Sequence, residues 1–243
     1  MNKLAKNPFK IQAMFSSIAP RYDLLNKLLS FGRDRYWRRF AVSHLPKIEA
    51  GKFLDLATGT GDVAVEIVKQ HTPDTRVIGI DFSKQMLELG RKKILKKGYQ
   101  NQIDIGFGDA TSMPFEDKTF DAAIIAFGIR NIPDYRAGIN EMARVVKEGG
   151  TIVILEFTNA QTRLFKWPFR LYLTKILTSI GEIISGRKGA YRYLSDSVLD
   201  FPEPEKLKKI MEETGLKDVR YYTLTLSIVA VHVGTKKQFT VHS

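Results

Sequence analysis

The feature that most constrains the fold is an alternation of short apolar runs with segments of helical periodicity between residues 52 and 157. The apolar runs with the composition of buried strands are 52–57, 76–80, 102–107, 120–127 and 151–157. The segments with apolar residues at helical spacing are 62–70, 83–97 and 135–147. Such alternation predicts a parallel sheet with helices on both faces, and ligands bind these sheets at the carboxyl ends of the strands.

The end of the chain follows a different pattern. A predicted helix at 203–215 is followed by two strand-like segments, 217–226 and 227–236, with almost nothing between them. Two strands joined so tightly are expected to be antiparallel. The sequence therefore predicts an α/β fold with a seven-stranded, mostly parallel sheet and an antiparallel last strand.

The whole chain, residues 1–243, is interpreted as a single domain, because no internal repeat, low-complexity segment or flexible linker divides it. The core covers 51–157 and is completed by the helix and strand pair at 203–236. Two elaborations lie outside the alternation. Residues 9–50 have a helical pattern rich in aromatic and basic residues, and residues 158–202 separate the fifth strand from the last helix.

The amino-acid composition limits which binding partners and which catalytic chemistry the chain can have. The formal net charge of +12, with a pI of about 9.7, suits nucleic acid, an anionic membrane surface or acidic small molecules. A sequence without cysteine excludes disulfides, thiolate metal sites and cysteine nucleophiles. The four histidines are scattered without metal-ligand spacing, so no metal is expected. No secretion signal is recognisable at the start, so the cytoplasm is the expected compartment.

A glycine-rich turn joins the first strand to the first helix of the core. The pattern Gly59-x-Gly61-x-x-Ala64 permits a tight turn and a close approach of a ligand to the backbone. By itself it fits a turn without a ligand, or a dinucleotide fingerprint of the GxGxxA kind. A dinucleotide needs its pyrophosphate against the helix N-terminus, however, and Asp62 at that terminus would repel it.

Three consecutive strands end on carboxylates. Asp55 lies near the end of the first strand, where a buried acid is costly without a partner. Asp81 ends the second strand, about 20 residues after Gly61, which is the expected place for an acid that binds ribose hydroxyls. Asp109 follows the third strand. This set suits a ligand with an amino group, a ribose and an adenine but no phosphate, which describes S-adenosylmethionine.

Motifs along nearly the whole chain, about residues 13–236, resemble those of one enzyme family. In order they are LDLATGTGD, GIDFSKQML, GDATSMPFEDKTFD, AFGIRNIPD, EMARVVKEGG, LEF, YRYLSDSV, FPEPEKL and VHVGTK. They are similar to the ubiquinone/menaquinone biosynthesis C-methyltransferases. The glycine loop and ARVVKEGG are generic to class I methyltransferases, whereas FGIRNIPD and YRYLSDSV are particular to this family.

The resemblance implies a Rossmann-like class I methyltransferase fold and a reaction. S-adenosylmethionine would be the methyl donor, S-adenosylhomocysteine the product, and no metal would take part. The acceptor would be a ring carbon of a reduced polyprenyl quinone precursor, demethylmenaquinol or also the ubiquinone precursor. Residues 9–50 would form a lid, 51–157 the donor-binding core, and 158–202 a helical insertion over the acceptor pocket.

The resemblance also assigns residues to the methionine end of the donor. Thr60 and Asp55 would hold it, and the backbones of Gly59 and Gly61 would border it. At Ala126 many relatives have a serine, so any hydroxyl contact from that position is missing here.

The nucleoside end of the donor would be bound by residues after the second and third strands. Asp81 would bind the ribose, and Phe82 would lie against the adenine. Asp109 would take the adenine amino group while the backbone N–H of Ala110 faces a ring nitrogen.

An arginine and an asparagine, Arg130 and Asn131, follow the fourth strand, where acceptor and donor meet on this fold. From the residues alone, Arg130 could simply pair with Asp134 or another surface acid. The reaction implied by the resemblance needs a phenolate, which places negative charge on the ring carbon. The hydroxyl of a phenol has a pKa of about 10, and a desolvated guanidinium would favour the phenolate by lowering it. Each pKa unit requires about 1.4 kcal/mol of stabilisation of the phenolate relative to the phenol.

The predicted catalytic residues are therefore Arg130, which stabilises the phenolate, and Asn131, which orients its oxygen. Asp81 is predicted to accept the proton through a water, although ribose binding alone explains its position. Tyr22 would come from the lid to bound the acceptor pocket. Alignment of the two reactants contributes much of the rate in such a transfer, so geometry can matter more than the base.

A basic segment at 163–192 contains seven lysines and arginines against one acid, Glu182. The interspersed cations and Pro168 argue against a membrane span, which needs about 20 mainly apolar residues. The two interpretations left are an ordinary amphipathic helix on the sheet and a helix at a membrane interface. A polyprenyl quinol resides in the bilayer, so peripheral contact with the inner face of the plasma membrane is expected, with 32–40 part of the same face.

Other functions remain open from sequence. The positive charge is compatible with an RNA methyltransferase. However, the sequence has no cysteine for the covalent route to 5-methylcytosine. It also has FGIRN where an enzyme that methylates an exocyclic amine is expected to have an NPPY-type turn. Methylation of another small molecule and a non-enzymatic nucleic-acid-binding module are the further alternatives. On the preferred interpretation no nucleic-acid partner is expected. Both a monomer and a homodimer are left open.

Overall fold

A computed structural model of the chain describes residues 7–158, 171–177 and 190–238. Seven strands form one sheet: β1 (Lys52–Leu56), β2 (Arg76–Asp81), β3 (Ile103–Phe107), β4 (Phe120–Ala126), β5 (Val146–Phe157), β6 (Leu216–Leu224) and β7 (Val229–Lys236). Their order across the sheet is β3-β2-β1-β4-β5-β7-β6. The first five strands pair in parallel, and β7 lies antiparallel to both β5 and β6. The predicted sheet, with its antiparallel last strand, is confirmed.

Helices lie on both faces of the sheet, as the alternation predicted. They are α1 (Pro8–Leu29), α2 (Asp34–Val42), α3 (Asp62–Gln70), α4 (Lys84–Lys96), α5 (Tyr135–Val145), α6 (Ala190–Asp200) and α7 (Pro204–Glu213). A 3₁₀ turn spans Ile129–Asn131, and a π-helical turn spans Tyr172–Leu177. Among the described residues, no helix is both long and apolar enough to cross a membrane.

The central strands are buried on both faces, which explains their continuous apolar runs. In β4 the side chains of Ile124 and Ile125 are both fully buried, yet they point to opposite sides of the sheet. Ile124 packs in the cluster that includes α3, and Ile125 in the cluster that includes α5 and α7. A third, smaller cluster joins α1 to α6 through Ile18, Leu25 and Val198.

The largest error in a predicted boundary lies between α5 and β5. The helix predicted at 135–147 ends at Val145, and the strand predicted to begin at 151 begins at Val146. Val146 already pairs with Phe120, whereas Thr151 pairs with Ala122, so the residues between them form an irregularity in the ladder. The apolar spacing of the helix continues into the strand, and only this long-range pairing sets the boundary.

The two elaborations differ in how much of them the structure describes. Residues 9–50 form α1 and α2, and α1 packs against α4. The basic segment at 163–192 lies outside the described residues except for 171–177 and 190–192. Both interpretations of this segment, an amphipathic helix on the sheet and a helix at a membrane interface, therefore stay predictions.

Candidate active site

A cavity of about 480 Å³ lies at the carboxyl ends of β1, β2 and β4, where the sheet topology predicts a ligand site. Its volume is typical of sites for small molecules. Leu56, Ile80 and Met86 give it an apolar floor, and α1 covers it with Phe15 and Tyr22. The cavity therefore combines apolar side chains with polar ones, including Asp81, Asp109 and Asn131.

The backbone around the cavity is strained. Ala57 and Phe127, which follow β1 and β4 directly, both adopt left-handed conformations, with φ of 55° and 58°. The two turns also approach closely, because a Cβ on Gly128 would lie 2.6 Å from the Cβ of Ala57. Residues in such conformations cost about 1–3 kcal/mol each and cluster at functional sites.

The two predicted glycines have different surroundings. Gly59 lines the cavity with φ of 56°, and a Cβ there would meet nothing within 4 Å. A ligand can therefore approach its backbone closely. Gly61 precedes α3 with φ of 79°, and a Cβ there would contact Ile94 of α4 at 3.4 Å. Of these two glycines, only Gly59 is on the cavity wall.

Asp81 lies on the cavity wall and is fixed by the backbone around it. Its Oδ2 accepts a hydrogen bond from the Gly59 N–H at 2.8 Å, and its Oδ1 accepts one from the Ser83 N–H at 2.7 Å. Burial raises the pKa of this carboxyl above its usual value, against the opposing effect of those hydrogen bonds. The remaining lone pairs of the carboxylate can accept hydrogen bonds from the hydroxyl groups of a ligand.

The other predicted nucleoside contacts also lie on the cavity wall. The Phe82 ring packs against Phe107, with centroids 5.3 Å apart, and Asp109 and Ala110 lie beside it. Asp109 accepts hydrogen bonds at 2.8 Å from both the N–H and the hydroxyl of Thr111, so its side chain is oriented. An aromatic face next to an oriented carboxylate suits a flat base with an amino group.

Asp55 is buried beneath the glycine turn and is not on the cavity wall. Its Oδ2 accepts hydrogen bonds from the Thr58 hydroxyl at 2.5 Å and the Ala64 N–H at 3.1 Å. Its Oδ1 has no hydrogen-bond partner among the described residues. Burial is the main cause that raises the pKa of Asp55 to about 7. This unsatisfied oxygen is the observation that fits an amino group bound above the turn.

Thr60 is also directed away from the cavity. Its hydroxyl donates to Asp23 of α1 at 2.7 Å and accepts from the Lys93 amine at 2.8 Å. Lys93 also pairs with Asp23 at 2.5 Å and with Asp62 at 2.7 Å. Arg38 of α2 forms a salt bridge with Asp62 at 3.4 Å, which joins α2 to the same set of contacts. We call this set the lid network: Asp23, Arg38, Thr60, Asp62 and Lys93.

Arg130 forms a buried ion pair behind the cavity wall. Its guanidinium donates to Glu156 at the end of β5 and to the Phe127 carbonyl at 2.9 Å, and the two charged side chains are 3% and 1% exposed. The guanidinium carbon lies 5.4 Å from the centroid of the Phe157 ring. The alternative partner, Asp134, instead caps α5. Arg130 therefore pairs with a buried acid and not with a surface one.

Asn131, the neighbour of Arg130, reaches the cavity. Its Oδ1 accepts a hydrogen bond from the Tyr193 hydroxyl of α6 at 3.3 Å. Burial raises the pKa of Tyr193 to about 12 and also raises that of Tyr22, while the charge of Arg130 lowers both. Tyr22 and Asn131 line the cavity, and Tyr193 binds Asn131 from behind that wall. We call these three side chains, which lie in the field of Arg130, the polar end of the cavity.

Comparison with known proteins identifies the family. The sequence model of the ubiE/COQ5 methyltransferase family matches residues 3–236. The chain belongs to the ubiE/COQ5 methyltransferase family. The family resemblance predicted from the motifs is confirmed, as are the enzyme class and S-adenosylmethionine as the cofactor.

Individual relatives match over nearly their full length. The ubiquinone/menaquinone biosynthesis C-methyltransferase UbiE of Geobacter sp. (strain M21) is 49% identical over 236 residues, which cover 97% of this chain and 100% of the relative. The demethylmenaquinone methyltransferase of Deinococcus radiodurans is 48% identical over 229 residues, 93% of this chain and 92% of the relative. Among solved structures, a SAM-dependent methyltransferase from Thermotoga maritima shares the fold, with a TM-score of 0.65, 19% identity and coverage of 93% and 100% of the two chains.

For this member of the family, the structure brings most of the predicted site residues to one cavity. The predicted residues on its wall are Tyr22, Gly59, Asp81, Phe82, Asp109, Ala110 and Asn131. Among the described residues, the predicted ones that do not line it are Asp55, Thr60, Gly61 and Arg130. Asp55 and Gly61 shape the turn, Thr60 binds Asp23 of α1, and Arg130 lies behind the wall.

Three residues near the polar end were missed as site residues. Glu156 belongs to the motif LEF and Tyr193 to YRYLSDSV, so both lie in family motifs that carried no assigned role. Phe127 follows β4 in a left-handed conformation, and its carbonyl accepts a hydrogen bond from Arg130. The motifs could have identified Glu156 and Tyr193, but their partners depend on contacts 26 and 62 residues apart.

Proposed function

We propose that the chain transfers the methyl group of S-adenosylmethionine to a ring carbon of a reduced polyprenyl quinone, with demethylmenaquinol as the acceptor and the ubiquinone precursor as a second one. The observation that carries this proposal is the position of Asn131, which brings the family-specific turn onto the cavity wall. Relatives named for this activity share nearly half of their residues with the chain.

The wall residues suit the donor. Asp81 would take the ribose hydroxyls, and Phe82 and Asp109 would take the adenine. Asp55 would support the methionine amino group through its unpaired oxygen, with the open backbone of Gly59 beside it. Thr60 and Gly61 would act by holding the turn. When bound, S-adenosylmethionine supplies a methyl group activated by a sulfonium.

The polar end suits the acceptor. The Asn131 side chain would hydrogen-bond the quinol oxygen, and Tyr22 would bound the ring from α1. Arg130 would favour the phenolate through its field, which reaches Tyr22 and Tyr193. Because Glu156 offsets part of that charge, we expect the pKa of the acceptor hydroxyl to fall by less than a lone guanidinium would cause.

Asp81 would accept the hydroxyl proton of the quinol through a water. After the methyl transfer, the methylated ring carbon would lose its proton and the oxygen would regain one, which restores the aromatic quinol. Burial raises its pKa, which strengthens it as a base. The apolar floor and α1 would exclude bulk water and align the ring. Residues 9–50 would serve as the lid and 158–202 as the cover of the acceptor pocket.

The acceptor's polyprenyl tail implies a meeting with the bilayer. We propose peripheral contact with an anionic membrane surface at the inner face of the plasma membrane, supported by the net charge of +12. A homodimer remains a prediction, and sedimentation velocity at several concentrations tests it.

The proposed function is tested with labelled S-adenosylmethionine and three parallel acceptors: a reduced demethylmenaquinone analogue with a short tail, a lipid extract and bulk RNA. We expect label in the quinol and in the quinone fraction of the lipid extract. Label in RNA alone, or none in the quinol, would contradict the proposal. Calorimetry with S-adenosylmethionine first establishes that the protein is competent for donor binding.

A further inference from the structure

Outside the cavity, α1 presents a second apolar surface, to solvent. Leu24, Leu28 and Phe31 are spaced at i, i+4 and i+7, so they share one face at the end of the helix. They are 53%, 48% and 82% exposed, and Phe31 is the most exposed large apolar side chain of the described residues. Leu171 is also exposed, and the neighbouring Tyr172 ring lies 6.2 Å from that of Phe31.

The backbone at Phe31 is unusual for such a residue. Phe31 follows the C-terminus of α1 with φ of 52°, and the next N–H, that of Gly32, donates to the Lys27 carbonyl at 2.7 Å. Helices often end with a left-handed residue here, but it is normally glycine or asparagine, because a side chain is strained in this conformation. Folding alone therefore gives no reason for an exposed phenylalanine at this position.

Exposed cations surround this apolar face. Lys27, Arg33 and Arg35 are all exposed, whereas the one acid between residues 24 and 39, Asp34, is buried and pairs with Arg38 at 2.8 Å. We call this surface the α1–α2 corner: Leu24, Lys27, Leu28, Phe31, Arg33 and Arg35.

We propose that the α1–α2 corner inserts into the headgroup region of an anionic lipid bilayer. Exposed leucine and phenylalanine side chains gain free energy by entering the acyl boundary, and adjacent cations bind anionic headgroups. A positive, apolar and strained corner matches such a surface in both charge and polarity.

The α1–α2 corner is also connected to the cavity. Phe15 and Tyr22 on the cavity wall belong to α1, and they pack in one apolar cluster with Leu25 and Leu29, which lie on the same turns of α1 as the corner. A helix that enters the bilayer at one end and covers the cavity at the other suits an acceptor dissolved in lipid. The role in bringing a lipid-dissolved acceptor to the cavity rests on the proposed function, whereas the binding of the corner to a membrane does not.

The absence of cysteine from the sequence allows a site-specific test. Phe31→Cys and Leu95→Cys are each labelled with an environment-sensitive dye, Leu95 being a 65% exposed leucine on α4. Vesicles of phosphatidylglycerol mixed with phosphatidylcholine are added, and vesicles of phosphatidylcholine alone serve as the comparison. We expect a blue shift at position 31 with the anionic vesicles and none at position 95. Equal shifts at both positions, or none at 31, would overturn the proposal.

Two further variants separate membrane binding from folding. Phe31→Gly relieves the backbone, so its thermal midpoint should be no lower than that of the wild type, while its partition onto anionic vesicles should fall about tenfold. Arg33→Glu with Arg35→Glu places acids at the start of α2, where they are favourable, and should lower partition by about fivefold or more for each cation. The matched control is Lys206→Glu with Lys209→Glu, exposed cations of α7, which should change partition far less.

The outcomes also separate this proposal from the proposed function. If the short-tailed quinol is methylated but Phe31→Gly partitions like the wild type, the α1–α2 corner is not the membrane contact. If Phe31→Gly changes the oligomeric state in sedimentation velocity and leaves partition unchanged, a second copy of the chain covers the corner and the proposal fails. If no quinol is methylated while position 31 still enters anionic vesicles, the proposed function fails and the membrane contact stands.

Discussion

Two groups of charged side chains flank the cavity, and they differ in burial. The lid network joins α1 and α2 to the glycine turn through side chains that include Asp23, 45% exposed, and Asp62, 33% exposed. The pair of Arg130 and Glu156 at the polar end of the cavity is almost fully buried. The first group can exchange its partners with water, whereas the second cannot. The contrast predicts that the contacts between α1 and the glycine turn break more readily than the Arg130–Glu156 pair.

Removing one member of the buried pair should have the largest effect. Arg130→Met leaves the Glu156 charge buried without a partner, which should cost about 3–5 kcal/mol of unfolding free energy. Turnover should fall by orders of magnitude, while the donor affinity of the folded fraction holds. Denaturant titration, single-turnover kinetics and calorimetry measure the three quantities.

A double variant separates stability from catalysis at this pair. Arg130→Met with Glu156→Leu removes both charges and should recover most of the stability, because an apolar replacement of a buried pair is often neutral. Turnover should stay low if the guanidinium acts on the acceptor. A double variant with wild-type turnover would show that the pair is only structural.

Asp55 extends the comparison to a buried acid without a cation. Its pKa of about 7 in the folded protein exceeds the unfolded value, so the folded state binds the extra proton at intermediate pH. Without cofactor, the free energy of unfolding should therefore fall by about 3 kcal/mol as the pH rises from 4 to 7. Asp55→Asn keeps an acceptor for Thr58 and Ala64 and should flatten that slope. A variant with the same slope as the wild type would place the titration elsewhere.

A substitution in the lid network should have a smaller effect than one in the buried pair. Lys93→Met removes the cation that joins Asp23, Thr60 and Asp62, and we expect about 1–2 kcal/mol weaker binding of S-adenosylmethionine because α1 is held less firmly. High salt should weaken donor binding in the wild type and less so in the variant. Lys118→Met, which loses an exposed pair with Glu148 far from the cavity, is the control. Equal calorimetric effects in both variants would remove the special role of the lid network.

The smallest effect concerns the hydrogen bond that orients Asn131. Tyr193→Phe removes the hydroxyl that donates to its Oδ1 and should lower kcat/KM for the quinol about threefold, since one such bond contributes about 0.5–1.5 kcal/mol. Donor affinity should not change. Tyr221→Phe on β6, remote from the cavity, is the matched control, and an equal loss in that variant would argue against an orienting role.

The sequence predicted where the site residues lie better than it predicted where their side chains point. Asp81, Phe82, Asp109 and Asn131 could be placed because the turn after each parallel strand reaches the same edge of the sheet. Their positions follow from topology, which the alternation of strands and helices reveals. The predicted sheet, seven-stranded with an antiparallel last strand, needed only this alternation, the paired strands at the end of the chain and the family resemblance.

What the sequence could not predict are the orientations set by distant packing. Thr60 lies in the glycine turn, but its hydroxyl faces Asp23 because α1 folds back over the turn. Arg130 points at Glu156 because β4 and β5 are neighbours, and no local pattern reveals which acid lies opposite. The start of β5 at Val146 was missed for the same reason. Side-chain direction in each case depends on residues far away in the chain.

The central claim is that this cavity methylates a ring carbon of a quinol. The most direct measurement is the structure of the product, by nuclear magnetic resonance, after incubation of the protein with S-adenosylmethionine carrying an isotope-labelled methyl group and a reduced demethylmenaquinone analogue. The account predicts one labelled methyl group bonded to a ring carbon, and none in a parallel incubation without the protein. A labelled methyl ether on a quinol oxygen, or an unlabelled quinol from protein that binds the donor, would contradict it.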